Sequence, residues 1–158
     1  MNIKDYLNSE SVILGAGTIS KTDALEKLID AIDATGNLAD KELFKKAILD
    51  REAIGSTGVA DGVAIPHAKS DTVTKATIAA LTAESVTGFS TFDNSETKLV
   101  LMVAAPVNKP GEENIHLDIL QLLSNLLSDR AVIDNLVKAK SSEAFDKVLI
   151  DAYNAFVA

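Results

Sequence analysis

Cysteine and tryptophan are absent from this 158-residue sequence, and histidine occurs only twice, as His67 and His116. Without thiols the chain can form no disulfide, no cysteine-ligated zinc or iron–sulfur site and no catalytic cysteine. A nucleophile or base that titrates near pH 7 is therefore to be sought at the two histidines. The absence of cysteine also suits a reducing compartment, and we expect a cytoplasmic protein.

Long hydrophobic runs and an excess of basic residues are also lacking. The longest apolar run, Leu99 to Val107, is about nine residues, whereas a helix that crosses a membrane needs about 20. The polar start of the chain, with Lys4 and Asp5, is unlike a signal peptide. The net charge of −8 argues against nucleic-acid binding, which a basic surface normally supports. We therefore expect no nucleic acid, no insertion into a membrane, and a protein partner with a basic docking surface.

The length and composition are those of one folded domain covering residues 1–158. Chains of about 100–200 residues usually form a single domain. A content of 47% hydrophobic and 24% charged residues excludes a disordered chain. Because aromatic residues make up only 4% of the sequence, the core must consist mainly of Leu, Ile, Val and Ala.

The hydrophobic pattern predicts helices at both ends of the chain and strands between them. Ser20 and Asp40 are suitable N-caps for two helices, and Gly36 ends the first of these. Strands are predicted over Val73–Thr82 and Leu99–Ala105. Three further helices are predicted at about Ile115–Leu127, Ala131–Ala139 and Glu143–Phe156, the last behind Ser141 or Ser142. This order predicts a sheet covered by helices, in an α/β or mixed α+β domain.

The glycine-rich segment Ala53–Gly62 matches none of the common nucleotide or nucleophile motifs. It contains neither a G-x-S-x-G elbow nor the Gly-Lys-Ser/Thr ending of a P-loop. The earlier Gly15-Ala16-Gly17 has Ser20 where a dinucleotide-binding fingerprint needs its third glycine. The glycine-rich segment therefore predicts a loop whose backbone amides could bind an anion, but not a standard nucleotide site.

Five side chains are candidates for chemistry, and each also has a structural interpretation. His67, next to the glycine-rich loop, is expected at the rim of a cleft or as a satisfied, half-buried histidine. His116 begins a long apolar helix and could simply contact the preceding loop. Arg51 lies at a helix C-terminus, where a cation is stabilising. The hydroxyls of Ser56 and Thr57 could serve the turn itself.

Taken together, these candidates are suited to phosphoryl transfer. A neutral imidazole is a good nucleophile at pH 7. A guanidinium fork and loop amides can bind phosphoryl oxygens, and phosphoryl transfer depends mostly on positioning and charge. This hypothesis requires the five side chains to converge in space, which the sequence does not show.

Three motifs in consistent order resemble one protein family. The run Asp61–Lys69 resembles the signature of the enzyme IIA domains of the fructose/mannitol class, which belong to the bacterial phosphoenolpyruvate-dependent sugar phosphotransferase system. The run Arg51–Val59 is similar to the segment that precedes the active loop in this family. The run His116–Ser124 resembles its second-histidine helix, and the resemblance covers nearly the whole chain.

This resemblance implies a single domain with a mixed β-sheet of about five strands and helices on both faces. It implies that His67 accepts a phosphoryl group from the phosphocarrier protein HPr and passes it to a cysteine of enzyme IIB, from which it reaches a sugar entering through the membrane subunit IIC. His116 matches the family's second active-site histidine, and Arg51 its phosphate-binding arginine. Thr57, or else Ser56, matches a hydroxyl-bearing residue before the active loop. No metal or cofactor is implied, and we expect HPr and enzyme IIB to be separate polypeptides.

Two other functions are considered beside this one. A regulatory module of the nitrogen-related enzyme IIA type would use phosphorylation of His67 as a switch for binding other proteins. A metal-dependent hydrolase using both histidines is disfavoured, because no H-E-x-x-H spacing is present. The sequence departs from the commonest family pattern at Ala68, where many members carry glycine, and in the charged loop Pro106–Asn114, which could influence the choice of partner.

Overall fold

The computed structural model describes all residues, Met1–Ala158, and contains five α-helices and six strands. The helices are a short 3-10 helix (Ile3–Tyr6), α1 (Lys21–Ala34), α2 (Lys41–Ile54), α3 (Ile115–Leu126), α4 (Arg130–Lys138) and α5 (Ser142–Val157). The strands are β1 (Leu7–Ile13), β2 (Thr18–Ser20), β3 (Val63–Ala64), β4 (His67–Lys69), β5 (Thr77–Thr87) and β6 (Thr97–Ala105).

Side-chain caps determine where the helices begin. Ser20 Oγ accepts a hydrogen bond from the backbone amide of Asp23 at 3.1 Å, and Asp40 Oδ1 accepts one from that of Leu43 at 3.2 Å. Each cap satisfies a backbone donor that the first helical turn leaves without a partner. Ser141, one of the two caps considered for the last helix, caps α5. The predicted helix starts at Ser20 and Asp40 are therefore confirmed.

The six strands form one mixed sheet around the β5–β6 hairpin. β5 and β6 pair antiparallel, β1 and β2 both pair in parallel with the free side of β5, and β3 and β4 both pair in parallel with the free side of β6. The prediction of about five strands is close to the six observed. β2 and β4 are only three residues long, which is too short to produce a recognisable hydrophobic period.

Alternate residues of β6 face two separate cores. Leu99, Leu101 and Val103 belong to the core formed with α3, α4 and α5, whereas Val100 and Met102 belong to the core formed with α1 and α2. This alternation is the two-residue period of a strand whose two faces are both covered. The predicted α/β fold, a mixed sheet with helices on both faces, is confirmed.

One predicted strand has different bounds in the structure. The strand expected over Val73–Thr82 begins at Thr77 and continues to Thr87. Val73 instead forms an isolated bridge with Leu38. The extension to Thr87 depends on pairing with β2, a contact that no local pattern encodes.

The end of the sheet at which β6 terminates brings three elements together. β4 pairs with the last residues of β6, where His67 is opposite Val103. α2 packs against β4, and α3 begins after the loop that follows β6. None of the helices has the length and hydrophobicity that would let it cross a membrane.

Candidate active site

His67 is the first residue of β4, and β6 holds it in place. The backbone amide of Val103 donates to the carbonyl oxygen of Pro66 at 2.9 Å, immediately before the histidine. Because side chains alternate along a strand, His67 and Lys69 project to the same side, while the buried Ala68 faces a core. The strand thus presents an imidazole and an ammonium group side by side.

The structure brings the two histidines of the sequence into contact. His116 lies in the first turn of α3, which is capped by the Asn114 side chain. The ring centroids of His67 and His116 are 5.1 Å apart, and the ring planes are inclined by 47°. The two histidines therefore do converge in space, which the sequence alone could not show.

A hydrogen bond assigns the tautomer of His67. Its Nδ1 lies 2.7 Å from the backbone carbonyl oxygen of Ile65. A carbonyl oxygen can only accept, so Nδ1 carries the proton. In the neutral ring Nε2 then has the free electron pair, which makes Nε2 the nucleophilic nitrogen.

The histidines line a cleft of about 410 Å³ between α2, β4 and α3. The other polar groups in its walls are the side chains of Arg51, Lys69 and Asp50, so two cations and one anion surround the imidazoles. The exposed side chain of Ile54 completes the rim. In a chain of net charge −8, this local excess of positive charge is suited to an anion.

Arg51 both closes the end of α2 and lines this cleft. Its Nη1 donates to the carbonyl oxygen of Gly55 at 2.9 Å. Arg51 therefore does stabilise the C-terminal end of α2, as considered from the sequence. This contact uses only Nη1, so the other guanidinium donors remain available to the cleft.

Burial keeps both histidines neutral at pH 7. Desolvation lowers the pKa of His67, the nearby Arg51 lowers it further, and the hydrogen bond to Ile65 and the charge of Glu52 oppose the shift. Desolvation also lowers the pKa of His116, to about 4, with smaller contributions from His67 and Lys69. His116 Nε2 is fully buried and has no hydrogen-bond partner. A buried nitrogen without a partner is energetically costly unless a bound group satisfies it.

Ser56 and Thr57 do not line the cleft, and their hydroxyls are engaged elsewhere. Ser56 Oγ donates to the carbonyl oxygen of Ser90 at 2.8 Å. The hydroxyl of the buried Thr57 donates to the Glu52 carboxylate, which also pairs with Lys21 at 2.6 Å. The phosphate-binding role expected for these two residues stays a prediction.

Two polar residues near the site were not among the sequence-predicted candidates. Lys69 could have been found, since it stands two residues after His67 in a strand and must share its face. Glu52 gave no such signal, because its partners Lys21 and Thr57 lie on other elements. No group of three or more His, Asp or Glu side chains is placed to hold a metal ion.

The family of the chain follows from comparison with known proteins. Residues 5–152 match the family described as "Phosphoenolpyruvate-dependent sugar phosphotransferase system, EIIA 2". The chain belongs to this family. The resemblance carried by the His67 and His116 motifs is thereby confirmed.

Relatives of this EIIA chain include sugar-specific components. The fructose-specific EIIA component of Haloferax volcanii is 38% identical over 144 residues, which is 90% of each chain. The mannitol-specific enzyme IIA component of Staphylococcus aureus (strain MRSA252) is 27% identical over 150 residues, covering 95% of this chain and 99% of that one. The fructose-specific EIIABC component of Bacillus subtilis is 32% identical over 149 residues, or 94% of this chain, but the match spans only 23% of that protein.

Solved EIIA structures share the fold. The nitrogen regulatory protein IIA-Ntr of Neisseria meningitidis superposes with a TM-score of 0.82 at 28% identity, covering 93% of this chain and 98% of that one. The mannitol IIA structure of Escherichia coli superposes with a TM-score of 0.73 at 25% identity, covering 90% of this chain and 97% of that one.

Proposed function

We propose that this EIIA chain is a phosphohistidine relay protein, which accepts a phosphoryl group from HPr on His67 and passes it to a cysteine of enzyme IIB during sugar uptake. The observation that carries the proposal is the apposition of His67 and His116 at 5.1 Å, with the Nδ1 proton of His67 held by Ile65. This arrangement leaves one reactive nitrogen beside a second imidazole in a cleft with two cations.

The transfer step uses Nε2 of neutral His67. Its electron pair attacks phosphorus in line with the bond to the donor, a new phosphorus–nitrogen bond forms, and the bond to the donor breaks with its electron pair leaving on the donor. The Nδ1 proton stays on the ring, and Nδ1–H keeps its hydrogen bond to the Ile65 carbonyl oxygen. In the second step the enzyme IIB thiolate attacks the same phosphorus, and the electron pair returns to Nε2.

In this proposal three groups hold the phosphoryl oxygens. Arg51 and Lys69 supply positive charge in the cleft, and charge-assisted hydrogen bonds to phosphoryl oxygens are stronger than neutral ones. His116 lines the same cleft, with its ring centroid 5.1 Å from that of His67. Because the pKa of His116 is about 4, its ring is neutral at pH 7 and can donate from one nitrogen only.

Docking of the carrier is assigned to the rim of the cleft. Ile54 is 83% exposed and lines the cleft at the end of α2. A large apolar side chain left in water next to the reactive residue is suited to burial against a partner. The net charge of −8 favours the basic surface expected on HPr and makes the encounter sensitive to salt.

One structural neighbour supports enzyme IIB as the acceptor. One neighbour, from Escherichia coli, is a complex of enzyme IIAMTL with phosphorylated enzyme IIBMTL, and its TM-score with this chain is 0.76 at 24% identity. The same fold thus occurs in a protein that binds phosphorylated enzyme IIB.

The second candidate is a regulatory module whose binding to other proteins depends on phosphorylation of His67. It is favoured by the TM-score of 0.82 with IIA-Ntr of Neisseria meningitidis. Onward transfer separates the two. The chain, phosphorylated by phospho-HPr, is mixed with enzyme IIB or, separately, with its Cys→Ser variant. A relay protein phosphorylates the enzyme IIB cysteine within seconds and restores sugar phosphorylation when IIC is added. A label that stays on His67 in the presence of enzyme IIB would support the regulatory module and contradict the relay.

A further inference from the structure

The Glu52 carboxylate is buried behind the cleft, with 6% of its side chain exposed. It forms an ion pair with the Lys21 ammonium group at 2.6 Å and accepts hydrogen bonds from the backbone amide of Thr57, at 3.4 Å, and from the Thr57 hydroxyl. The ammonium group of Lys21 lies 4.7 Å from the centroid of the Phe89 ring. A buried carboxylate is stable only when a counter-charge and hydrogen-bond donors surround it, and these contacts supply both.

A continuous path of hydrogen bonds runs from Glu52 to the nucleophile. Beyond the Thr57 side chain, the Thr57 carbonyl oxygen accepts the backbone amide of Ile65 at 3.0 Å. The carbonyl oxygen of the same Ile65 accepts Nδ1–H of His67 at 2.7 Å. Ile65 is therefore held on its amide side by Thr57 and directs the imidazole through its carbonyl oxygen.

The segment between Glu52 and Ile65 needs such an anchor. It contains three glycines, Gly55, Gly58 and Gly62, and glycine loses more backbone freedom on ordering than any other residue. Thr57 is 5% exposed, and its hydroxyl donates to Glu52 inside the protein.

We propose that Glu52 is a positioning residue for phosphoryl transfer: through Thr57 and Ile65 it holds His67 in the Nδ1-protonated tautomer, with Lys21 balancing its charge. In this role Thr57 acts on the nucleophile through the backbone and does not touch the phosphoryl group. The consequence for transfer rate rests on the proposed function, whereas the consequence for the His67 tautomer does not.

The test compares Thr57→Val, which removes the hydroxyl at nearly constant volume, with Thr57→Ser, which keeps it. Thr82→Val is the matched control, because Thr82 is 3% exposed and its hydroxyl accepts a hydrogen bond from the Gly15 amide, away from the cleft. Nitrogen-15 NMR of the His67 ring reads the tautomer in the unphosphorylated protein. Thermal unfolding shows that each variant is folded.

The Nδ1-protonated form predominates in the wild type, Thr57→Ser and Thr82→Val, whereas Thr57→Val gives a mixture of tautomers. The rate of phosphorylation by phospho-HPr falls roughly tenfold or more in Thr57→Val, since small misplacements of a reacting group are costly. A wild-type tautomer ratio in folded Thr57→Val would overturn the proposal. If Thr57→Val changes the tautomer ratio but phospho-HPr does not label the wild type, the positioning role is supported. Only the proposed function is then contradicted.

A double-mutant cycle adds a second measurement. Glu52→Ala and Thr57→Val are expected to shift the His67 tautomer by similar amounts, and the double variant Glu52→Ala/Thr57→Val to shift it no further, because both residues act on one path. Additive shifts would show that Glu52 and Thr57 act separately and would overturn the proposed path.

Discussion

The imidazole rings of His67 and His116 lie 5.1 Å apart at the end of the sheet where β4 pairs with β6. Burial disfavours the charged form of each ring, and for His116 the neighbouring His67 adds to this effect. The pKa values of both rings are accordingly lowered, that of His116 to about 4. The pair thus consists of two neutral rings at pH 7, as a nucleophile and a hydrogen-bonding neighbour require.

The lowered pKa of His116 predicts how stability depends on pH. In the unfolded chain its pKa is about 6.5, so as pH falls below 6.5 the unfolded state takes up the proton first and folding stability is lost. The loss continues down to the folded pKa of about 4. Burial raises the pKa of Asp146 to about 6, so protonation of Asp146 stabilises the folded state as pH falls. Wild type and a His116 variant both contain Asp146, so its effect cancels when the two are compared.

Urea unfolding of wild type and His116→Gln at pH 7.5 and 4.5 measures this effect. On going from pH 7.5 to pH 4.5, the free energy of unfolding of wild type is expected to fall by about 1–2 kcal/mol more than that of His116→Gln. This range allows for solvent screening of a half-buried ring. Equal changes in both proteins would show that His116 is not desolvated in the folded state.

Arg51→Ala is expected to slow phosphorylation of His67 by about 100- to 1,000-fold, the size of effect seen when one donor to a developing charge is removed. Arg51→Lys keeps the charge but loses the planar fork, so its rate should lie between those of wild type and Arg51→Ala. Rapid-quench labelling by phospho-HPr gives the rates. Wild-type rates in both variants would leave Arg51 with only its contact to the Gly55 carbonyl oxygen.

Gly58→Ala is expected to destabilise the fold by about 1–3 kcal/mol. A Cβ at this position would lie 2.2 Å from the Ser90 carbonyl oxygen, so the glycine-rich loop and the loop that contains Ser90 would have to separate. Gly55→Ala is the control, because its Cβ would meet nothing within 4 Å and its φ of 172° is extended. Chemical denaturation of the two variants gives the comparison, and similar stabilities would be inconsistent with close packing of these loops.

Ile54→Ser is expected to raise the KM for phospho-HPr about tenfold with little change in stability, because Ile54 is exposed in the free protein and the proposed docking buries it against the carrier. Phe92→Ser provides the control, since Phe92 is 86% exposed but does not line the cleft. Steady-state transfer assays supply both KM values. If the two substitutions raised KM equally, the effect would come from general surface hydrophobicity.

The helices and the central strands could be predicted because their signals are local. Ser20 and Asp40 cap helices through backbone amides three residues away, and the run within β6 is apolar because both of its faces are covered. By contrast, β1 includes the exposed Ser9 and Glu10 and shifts register between Leu7 and Val12. Its pairing with β5, not its composition, makes it a strand.

The site could be predicted in its members but not in its arrangement. His67 and His116 were identifiable because the sequence has only two histidines. Their contact depends on the pairing of β4 with β6 and on where α3 begins, which are long-range features. The hydrogen bond from Thr57 to Glu52 could not be predicted either. The presence of a threonine in the sequence does not show whether its hydroxyl faces the cleft or the protein interior.

Phosphorylation of His67 is the central claim, and labelling tests it most directly. Wild type, His67→Ala and His116→Ala are incubated with phosphoenolpyruvate, enzyme I and HPr, and the attached phosphoryl group is tested for stability in acid and base. We predict an acid-labile, base-stable label on wild type, a label formed at an altered rate on folded His116→Ala, and no label on folded His67→Ala. Wild-type labelling of His67→Ala would contradict the account.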